Sequence, residues 1–498
     1  MMKMSREEFR RAVAMWGIAM CLLVSAAGWV FMRFGQAWSV ADLPVSNYIE
    51  QIVPAYVITE VAFIPVGGKL IDRYGCRSVL AIAPFIYIVA SMLCMITPSV
   101  ECLVVFRLFQ GAGAGLILAL AFTSVGKFYD LDKRGKCNEL MTAAFAIGSL
   151  FGSSIGYFLT EKVNWRFGFV VFSVVMLVGF LLAWRFLPRE EDHGEGRLDP
   201  IGIVLTALTF GVVTLYTQMV LVLFELISIP SLIFLIVSVL LLGLTIYHSY
   251  HSSSPVTPIH TTRFEKTMIF LMFIFSLCGL GLIQYFFKLY LTYYDFDIYR
   301  ATSMFLFMLA GGAATSMPGV RFVYRTGSKP WIIAGSAIVT VALMFTHLYA
   351  DKGIPWLALS LFLFGLGLGC IVTEIICSLQ TIVPKKDMGV HTANLMAIRM
   401  VAIMAGNVLI GTYINNVIRT NRAPASIDLS VTENVLTSIR EYLSVTLQYL
   451  SDSMDSGFLM TAIILAMVTA GLTAVAYLVG RDDIKILNAM REKEEEEK

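Results

Sequence analysis

The stretch Gly68-Lys69-Leu70-Ile71-Asp72-Arg73-Tyr74-Gly75-Cys76-Arg77 decides the fold. It is a short charged segment between two apolar runs, 51–71 and 78–97. A helix needs about 20 apolar residues to cross the hydrocarbon core of a bilayer, so each run is long enough to be a membrane span. Glycines permit tight turns and close helix packing, and the charges favour the membrane surface. The stretch therefore predicts a tight loop between two transmembrane helices.

The rest of the chain repeats this pattern. The 498 residues have a mean hydropathy of +0.76, with 57% hydrophobic and 14% charged residues, whereas soluble domains carry about 25% charged residues. Fourteen apolar runs predict an all-α polytopic membrane protein. These runs are 12–33, 51–71, 78–97, 102–126, 138–160, 167–187, 200–221, 228–249, 267–292, 301–323, 331–349, 355–382, 392–417 and 457–480.

The Lys and Arg residues predict the orientation of these spans. With the N-terminus inside, 26 of the 37 basic residues fall on the inner side and 8 on the outer side. Basic residues are enriched in cytoplasmic loops. The sequence therefore predicts a multi-pass protein of the cell (inner) membrane with both termini cytoplasmic.

Composition and motifs argue against several function classes. The net charge is only +2 and the eight cysteines are scattered, so nothing indicates a nucleic-acid surface or a metal site. No nucleophile–base pair or phosphate-binding loop stands out. We therefore expect a protein that is not an enzyme, that contains no metal or cofactor, and whose partners are a small-molecule substrate and the lipid bilayer.

Five further segments have spacings that carry information. They are Arg107-Leu108-Phe109-Gln110-Gly111-Ala112-Gly113 in the fourth span, Gly148, Gly152 and Gly156 in the fifth, Trp165-Arg166-Phe167-Gly168-Phe169 at the start of the sixth, Leu198-Asp199-Pro200-Ile201-Gly202 before the seventh, and Asn394 with Arg399 and Gly406 in the thirteenth.

Together these segments resemble the major facilitator superfamily. The spacing G-x-x-x-D-R-x-G-x-R, made by Gly68, Asp72, Arg73, Gly75 and Arg77, resembles the signature loop of that family. The five further segments resemble its R-x-x-Q-G-x-G motif, its glycine-rich antiporter helix and elements of its fourteen-span drug:proton antiporter branch. The resemblance covers roughly 12–480.

The resemblance implies a major facilitator fold of two six-helix bundles with an inserted helix pair. The expected divisions are an N-terminal bundle (1–187), a linker with spans 7 and 8 (188–264), a C-terminal bundle (265–480) with an outer loop (419–456), and a cytoplasmic tail (481–498). Substrate would bind near the midplane between the bundles, and access would alternate by rocking. The loop around Asp72 and Arg73 would act as a latch between the bundles.

Three departures from the family pattern bear on mechanism. Gly152 is followed by Ser153 where the family usually has proline, so a proline bend is missing. The first span has no acidic residue between Val13 and Met32, and the second-half copy of the signature loop has Tyr324 at the aspartate position. Proton coupling must then use other carboxylates.

Charged residues within spans are the candidates for this role. A charge at the bilayer centre costs about 2.5–3.5 kcal/mol on insertion scales, so such residues are functional candidates by default. Glu60 and Glu374 are candidate proton carriers, and Arg107 and Arg399 are candidate partners for them; the alternative for each is a structural contact between helices. Glu139, near the inner end of the fifth span, is interpreted as a boundary residue.

Two further regions bear on function. Tyr285, Phe286 and Tyr290 in the ninth span are candidate walls of a substrate cavity. In the loop 419–456, Ser430 and Glu433 form a capping box before apolar residues at helical spacing, which predicts an amphipathic helix. That helix would lie on the membrane or on the bundles, or would dock an extracytoplasmic partner such as a periplasmic adaptor protein.

Three hypotheses follow. The first is a secondary active transporter that exports amphiphilic small molecules, with the proton gradient as its energy source. The second is a facilitator or importer of a metabolite, in which the charged pairs hold helices together. The third is the permease subunit of a tripartite export complex, or a receptor that no longer transports.

Overall fold

The computed structural model describes residues 6–44, 46–188, 198–220, 228–259, 261–277, 304, 306–315, 329–349 and 354–420. Within these ranges the protein is helical and has no strand. Its helices are α1 (Arg6–Asp42), α2 (Ile52–Met95), α3 (Val100–Phe128), α4 (Leu131–Lys162), α5 (Trp165–Phe186), α6 (Pro200–Leu215), α7 (Ile229–His251), α8 (Arg263–Phe275), α9 (Leu306–Thr315), α10 (Lys329–Tyr349), α11 (Ile354–Ile382) and α12 (Met388–Thr420). Short helical turns lie at Ile49–Gln51, Tyr216–Val220 and Lys385–Asp387.

The charged segment contains the tight turn between two membrane-spanning helical halves that the sequence predicts, and the turn is shorter than expected. α2 runs for 44 residues and contains both the second and the third predicted span. The helical path is interrupted at Gly75, whose backbone has φ 80° and ψ 162°. This positive φ is open to glycine and unfavourable for other residues. A single glycine therefore reverses the chain between two membrane-spanning halves.

The helical, polytopic character predicted from the sequence is confirmed. Each of the first thirteen predicted spans overlaps a described helix. The fourteenth span (457–480), residues 421–456 of the outer loop, and the tail 481–498 lie outside the described residues. The total of fourteen spans and the domain boundaries therefore stay predictions.

Helix α4 packs against α1 through a row of glycines. The three glycines recur every fourth residue, so they lie on one face of α4. A β-carbon on any of them would press on α1. The pairs are Gly148 with Leu23, Gly152 with Ala27, and Gly156 with Phe31. Because lipid gives no hydrophobic drive to helix association, such close backbone approach is a main source of packing energy in membranes.

Helix α3 packs on α2 in the same manner. β-Carbons on Gly111 and Gly115 would collide with the carbonyl oxygens of Tyr56 and Glu60. Gly111 of the R-x-x-Q-G-x-G segment and Gly115, which follows that segment, therefore bring α3 close to the part of α2 that carries Glu60.

The bundles have two ends, which we name after their acidic residues. The Asp72 end is where α2 bends, α3 and α11 end, and α4 and α12 begin. The Asp42 end is opposite; there Trp165 Nε1 donates a hydrogen bond to the Asp42 carboxylate at 3.0 Å. Arg166 donates to the carbonyl oxygens of Met95 and Thr97 at 2.8 and 2.9 Å. The Trp165-Arg166 pair thus joins three helix ends.

The inserted pair, α6 and α7, is held together at the Asp72 end. Asp199 caps α6 by accepting the Gly202 N–H at 2.8 Å. Its carboxylate also lies 2.9 Å from His248 Nε2 and accepts the Ser252 hydroxyl at 2.7 Å. Burial raises the pKa of Asp199, but these hydrogen bonds outweigh it and leave the pKa below its usual value.

The segment after α7 connects the two halves of the molecule. Lys69 on α2 donates to the carbonyl and hydroxyl oxygens of Ser254, each at 2.7 Å. Asn394 on α12 donates to the carbonyl oxygen of Val256 at 2.8 Å. Lys69 and Asn394 therefore bind neighbouring residues of one linker.

The glycine row predicts a stability difference between two matched substitutions. Gly148→Ala places a methyl group against the Leu23 carbonyl and is expected to cost about 1–3 kcal/mol of stability. Gly243→Ala on α7, where nothing lies within 4 Å of the added carbon, is expected to stabilise slightly, because alanine favours helix by about 0.5–1 kcal/mol. Thermal unfolding of the purified variants checks this. Equal melting temperatures would contradict the proposed role of the row.

The Asp199 cluster predicts a pH dependence. A lowered folded-state pKa stabilises the protein above the unfolded value, about 3.9, and this contribution is lost as pH falls through the folded value. Asp199→Ala should cost about 0.5–2 kcal/mol at neutral pH, with the loss fading below about pH 4. Asp130→Ala is the control, because Asp130 begins α4 without a side-chain cap bond. A loss independent of pH would contradict this assignment.

Candidate functional site

Arg107 lies at the centre of the N-terminal bundle and is fully buried. Its guanidinium donates to the Gly28 carbonyl at 3.1 Å and to Gln110 Oε1 at 2.7 Å. The group also stacks 4.3 Å from the centre of the Tyr56 ring. Its second terminal nitrogen, Nη2, has no hydrogen-bond partner within the described ranges. The guanidinium thus has one donor nitrogen to spare, in a site closed to water.

Glu60 lies one helical turn after Tyr56 and is also 0% exposed. Neither of its carboxyl oxygens has a hydrogen-bond partner in the described part of the chain. The charge of Arg107 acts on it across the bundle. An ionised carboxylate without hydrogen bonds is costly in such a place, and a protonated carboxyl costs far less. In this conformation the site suits a carboxyl that carries a proton.

Asp72 joins the two halves of the protein at the Asp72 end. Its carboxylate accepts the backbone N–H groups of Gly389 and Val390, each at 2.8 Å, at the start of α12. Lys127 Nζ lies 3.3 Å from the same carboxylate. The first N–H groups of a helix have no partners within it, and the helix dipole favours an anion there. An acidic residue of one bundle therefore caps a helix of the other.

The other residues of the charged segment have separate contacts. A β-carbon on Gly68 would collide with the Gly389 carbonyl and with Ala393, so α2 and α12 touch at this point. Arg77 donates to the Leu187 carbonyl at 3.3 Å and stacks 4.5 Å from the Trp184 ring, both next to it in the N-terminal bundle. Arg73 is half-buried. Gly68 and Asp72 thus meet the other bundle, and Gly75 forms the bend.

A second contact between the bundles joins α4 to α11. Asn138 Nδ2 donates to Gln380 Oε1 at 2.9 Å, and Gln380 in turn donates to the Phe122 carbonyl at 3.0 Å. Arg134 donates to the Gln380 carbonyl, and Asn138 Nδ2 lies 3.4 Å from Cys377 Sγ. We call the contacts of Asp72 with α12 and of Arg134 and Asn138 with Gln380 the Asp72 gate; the gate is closed.

Glu139 is not a boundary residue, contrary to the sequence interpretation. The fifth span was predicted to begin at 138, but α4 begins at Leu131, which places Glu139 two turns inside the helix. Its side chain is 9% exposed and faces the C-terminal bundle. Thr373 on α11 donates to Glu139 Oε2 at 3.1 Å. Gly312 on α9 faces its other oxygen, so that a β-carbon there would lie 3.8 Å away.

Arg399 lies on α12, in the C-terminal bundle. It is half-buried, and the negative charge of Glu139 acts on its guanidinium. Its Nε atom is buried and has no hydrogen-bond partner among the described residues. Glu374, also buried, lies next to Thr373 and accepts the Ser378 hydroxyl one turn further along α11. Glu139, Thr373 and Glu374 are therefore close to one another at the contact between α4 and α11.

The remaining sequence candidates fall elsewhere. Tyr285, Phe286 and Tyr290 lie outside the described residues. Gly148, Gly152 and Gly156 pack α4 on α1, as described above. No three His, Cys, Asp or Glu side chains converge within the described ranges.

Comparisons with known proteins agree with this architecture. The sequence profile of the Major Facilitator Superfamily matches residues 12–409. The multidrug transporter protein MdtP of Bacillus subtilis (strain 168) is 25% identical over 436 residues, 83% of this chain and 77% of that protein. The riboflavin transporter RibZ of Clostridioides difficile (strain 630) is 23% identical, over 75% of this chain and 81% of that protein.

A solved structure shows the same fold. The human organic anion transporter MFSD10 (TETRAN) superposes with a TM-score of 0.59 at 14% sequence identity, covering 94% of this chain and 100% of that one. At this identity the likeness concerns the fold alone.

The contacts of the Asp72 gate predict how fast a cysteine behind them reacts with a thiol label. Asp72→Asn removes the charge at the start of α12, and hydrogen bonds to charged groups contribute about 1.5–3 kcal/mol each. The gate should open more often, and Cys377 behind it should react about tenfold faster with a membrane-permeant maleimide. Labelling at each cysteine is measured by peptide mass spectrometry.

Two controls accompany this labelling. Cys102, at the Asp42 end, should label at an unchanged rate. Asp387→Asn, an exposed acid two residues before Gly389, should leave Cys377 unchanged. Equal Cys377 rates in wild type and Asp72→Asn would refute the latch.

Proposed function

Because the chain belongs to the major facilitator superfamily, we propose that this membrane transporter exports amphiphilic small molecules in exchange for protons. Access alternates as one bundle rocks against the other around a site near the midplane. The proton gradient is the energy source, and no cofactor takes part. The likeness to a multidrug transporter supports the substrate class.

The surroundings of Glu60 are the observation that supports proton coupling. Within the described residues Glu60 is a buried carboxyl without hydrogen-bond partners, and Arg107 in the same bundle has a terminal nitrogen without one. Protonated, it is compatible with the site as it stands. Ionised, it needs Arg107 as its counter-charge. Two states of one carboxyl with different neighbours are what a proton carrier requires.

The distribution of basic residues supports an orientation in which the Asp72 end of the protein faces the cytoplasm. With the Asp72 end in the cytoplasm, the majority of Lys and Arg residues lie on the inner side. The described conformation is then closed towards the cytoplasm, with both termini on that side. In an exporter this is the half of the cycle in which substrate leaves and a proton binds.

A second candidate is a transporter of one metabolite. The likeness to RibZ favours it, as does the absence of an acid in the first span. Under this alternative Glu60 and Arg107 hold helices together and have no coupling role. A need for a periplasmic adaptor stays a prediction from the loop 419–456.

Proton movement in reconstituted vesicles tests the proposal. With an imposed pH gradient, a cationic amphiphile should collapse the gradient in wild type, and Glu60→Gln should reduce that proton flux at least about tenfold. Glu60→Gln should still exchange labelled substrate without a gradient, because an amide of equal size preserves packing. Glu101→Gln, an exposed acid at the Asp42 end, is the control and should behave as wild type.

The other outcomes decide between the candidates. Equal proton flux in Glu60→Gln and wild type rejects Glu60 as the carrier. No proton flux in wild type with cationic, neutral or anionic amphiphiles rejects proton antiport. Gradient-independent equilibration of a single metabolite would favour the second candidate.

A further inference from the structure

The linker after α7 crosses the seam between the bundles, which is the contact of α2 with α12. A β-carbon on Gly68 would collide with Ala393 at this seam. Lys69 follows Gly68 in α2, and Asn394 follows Ala393 in α12. Each of these two polar side chains is buried and donates hydrogen bonds to the linker. The linker therefore lies across one flank of the seam and contacts both bundles.

Several contacts attach the linker to the N-terminal bundle. Lys69 Nζ donates to the carbonyl and hydroxyl oxygens of Ser254, each at 2.7 Å. The hydroxyl groups of Thr257 in the linker and Thr206 on α6 lie 3.3 Å apart. Helix α6 itself packs on α2, because a β-carbon on Gly211 would lie 3.6 Å from an α2 side chain. These contacts fix the linker to α2 both directly and through the inserted pair.

A weaker contact attaches the linker to the C-terminal bundle. In the described part of the chain, Asn394 Nδ2 donates to the Val256 carbonyl at 2.8 Å and to the Val390 carbonyl within α12 at the same distance. A neutral hydrogen bond contributes about 0.5–1.5 kcal/mol, and one to a charged group such as the Lys69 ammonium about 1.5–3 kcal/mol. Asn394 Nδ2 also keeps Val390 as a partner when Val256 leaves. Release from α12 is therefore easier than release from α2.

We propose that residues 252–257 are a clamp over the seam, which stays with the N-terminal bundle and releases Asn394 when the Asp72 gate opens. The inserted pair then moves with the N-terminal bundle, and its linker helps to hold the gate closed. Only contacts that differ between the two states shift their equilibrium, so the bond to Asn394 sets the contribution of the clamp. This inference rests on the rocking of the bundles in the proposed function, but not on the coupled ion or the substrate.

The labelling rate of Cys377 in the purified full-length protein tests the clamp, because it reports how often the gate opens without substrate or gradient. Asn394→Leu keeps the size of the side chain and removes the donor. It should raise the rate about two- to tenfold, the factor that corresponds to one neutral hydrogen bond. Thr392→Val is the matched control, because Thr392 is also buried near the start of α12 and its hydroxyl has no hydrogen-bond partner among the described residues. Its rate should equal that of wild type.

Lys69→Met distinguishes a clamp from two independent contacts. In otherwise wild-type protein it loosens the clamp on α2 and should raise the Cys377 rate. In the Asn394→Leu background the clamp no longer holds α12, so adding Lys69→Met should change the rate by less than about twofold. Independent contacts would give the same factor in both backgrounds.

A second variant covers the case in which Asn394→Leu does not fold, as judged by its melting temperature. Asn394→Asp presents no donor to the Val256 carbonyl and should also raise the Cys377 rate. Two results would overturn the inference. One is an unchanged rate in the Asn394 variant, and the other is an equal effect of Lys69→Met, none included, in both backgrounds.

Failure of the proposed function looks different. Wild type would then move no protons, while the differences in labelling rate between the variants would persist. If wild type couples protons but the labelling rate does not depend on Asn394, only this inference fails.

Discussion

The capping of α12 by Asp72 is the interaction on which the described conformation depends. It places a side-chain charge of one bundle on the free amides of a helix in the other. The neighbouring contacts require the same approach of α2 to α12, including the glycine contact at Gly68 and the linker held between Lys69 and Asn394. A few charge-assisted bonds of about 1.5–3 kcal/mol each hold the gate closed, which is compatible with reversible opening.

The buried charges divide into two groups with different physical roles. Arg107 has neighbours only from the N-terminal bundle among its described hydrogen bonds and ring contact. Glu139 accepts a hydrogen bond from Thr373, which belongs to the other bundle. Only a group whose contacts differ between two states can shift their equilibrium. The hydrogen bond between Thr373 and Glu139 is therefore a contact through which rocking of the bundles can be coupled to a buried charge.

Local properties of the chain were predictable from the sequence, and contacts between distant segments were not. Apolar runs gave thirteen spans that overlap described helices, because span length is set by bilayer thickness. The spacing of Gly148, Gly152 and Gly156 indicated only a resemblance to an antiporter helix, and their close packing on α1 is seen in the structure. The role of Glu139 in a contact between helices was missed because α4 begins seven residues before its apolar run. Its hydrogen-bond partner Thr373 is also 234 residues away in the sequence. The polar residues Arg134, Asn138 and Glu139 on one helix were the available signal.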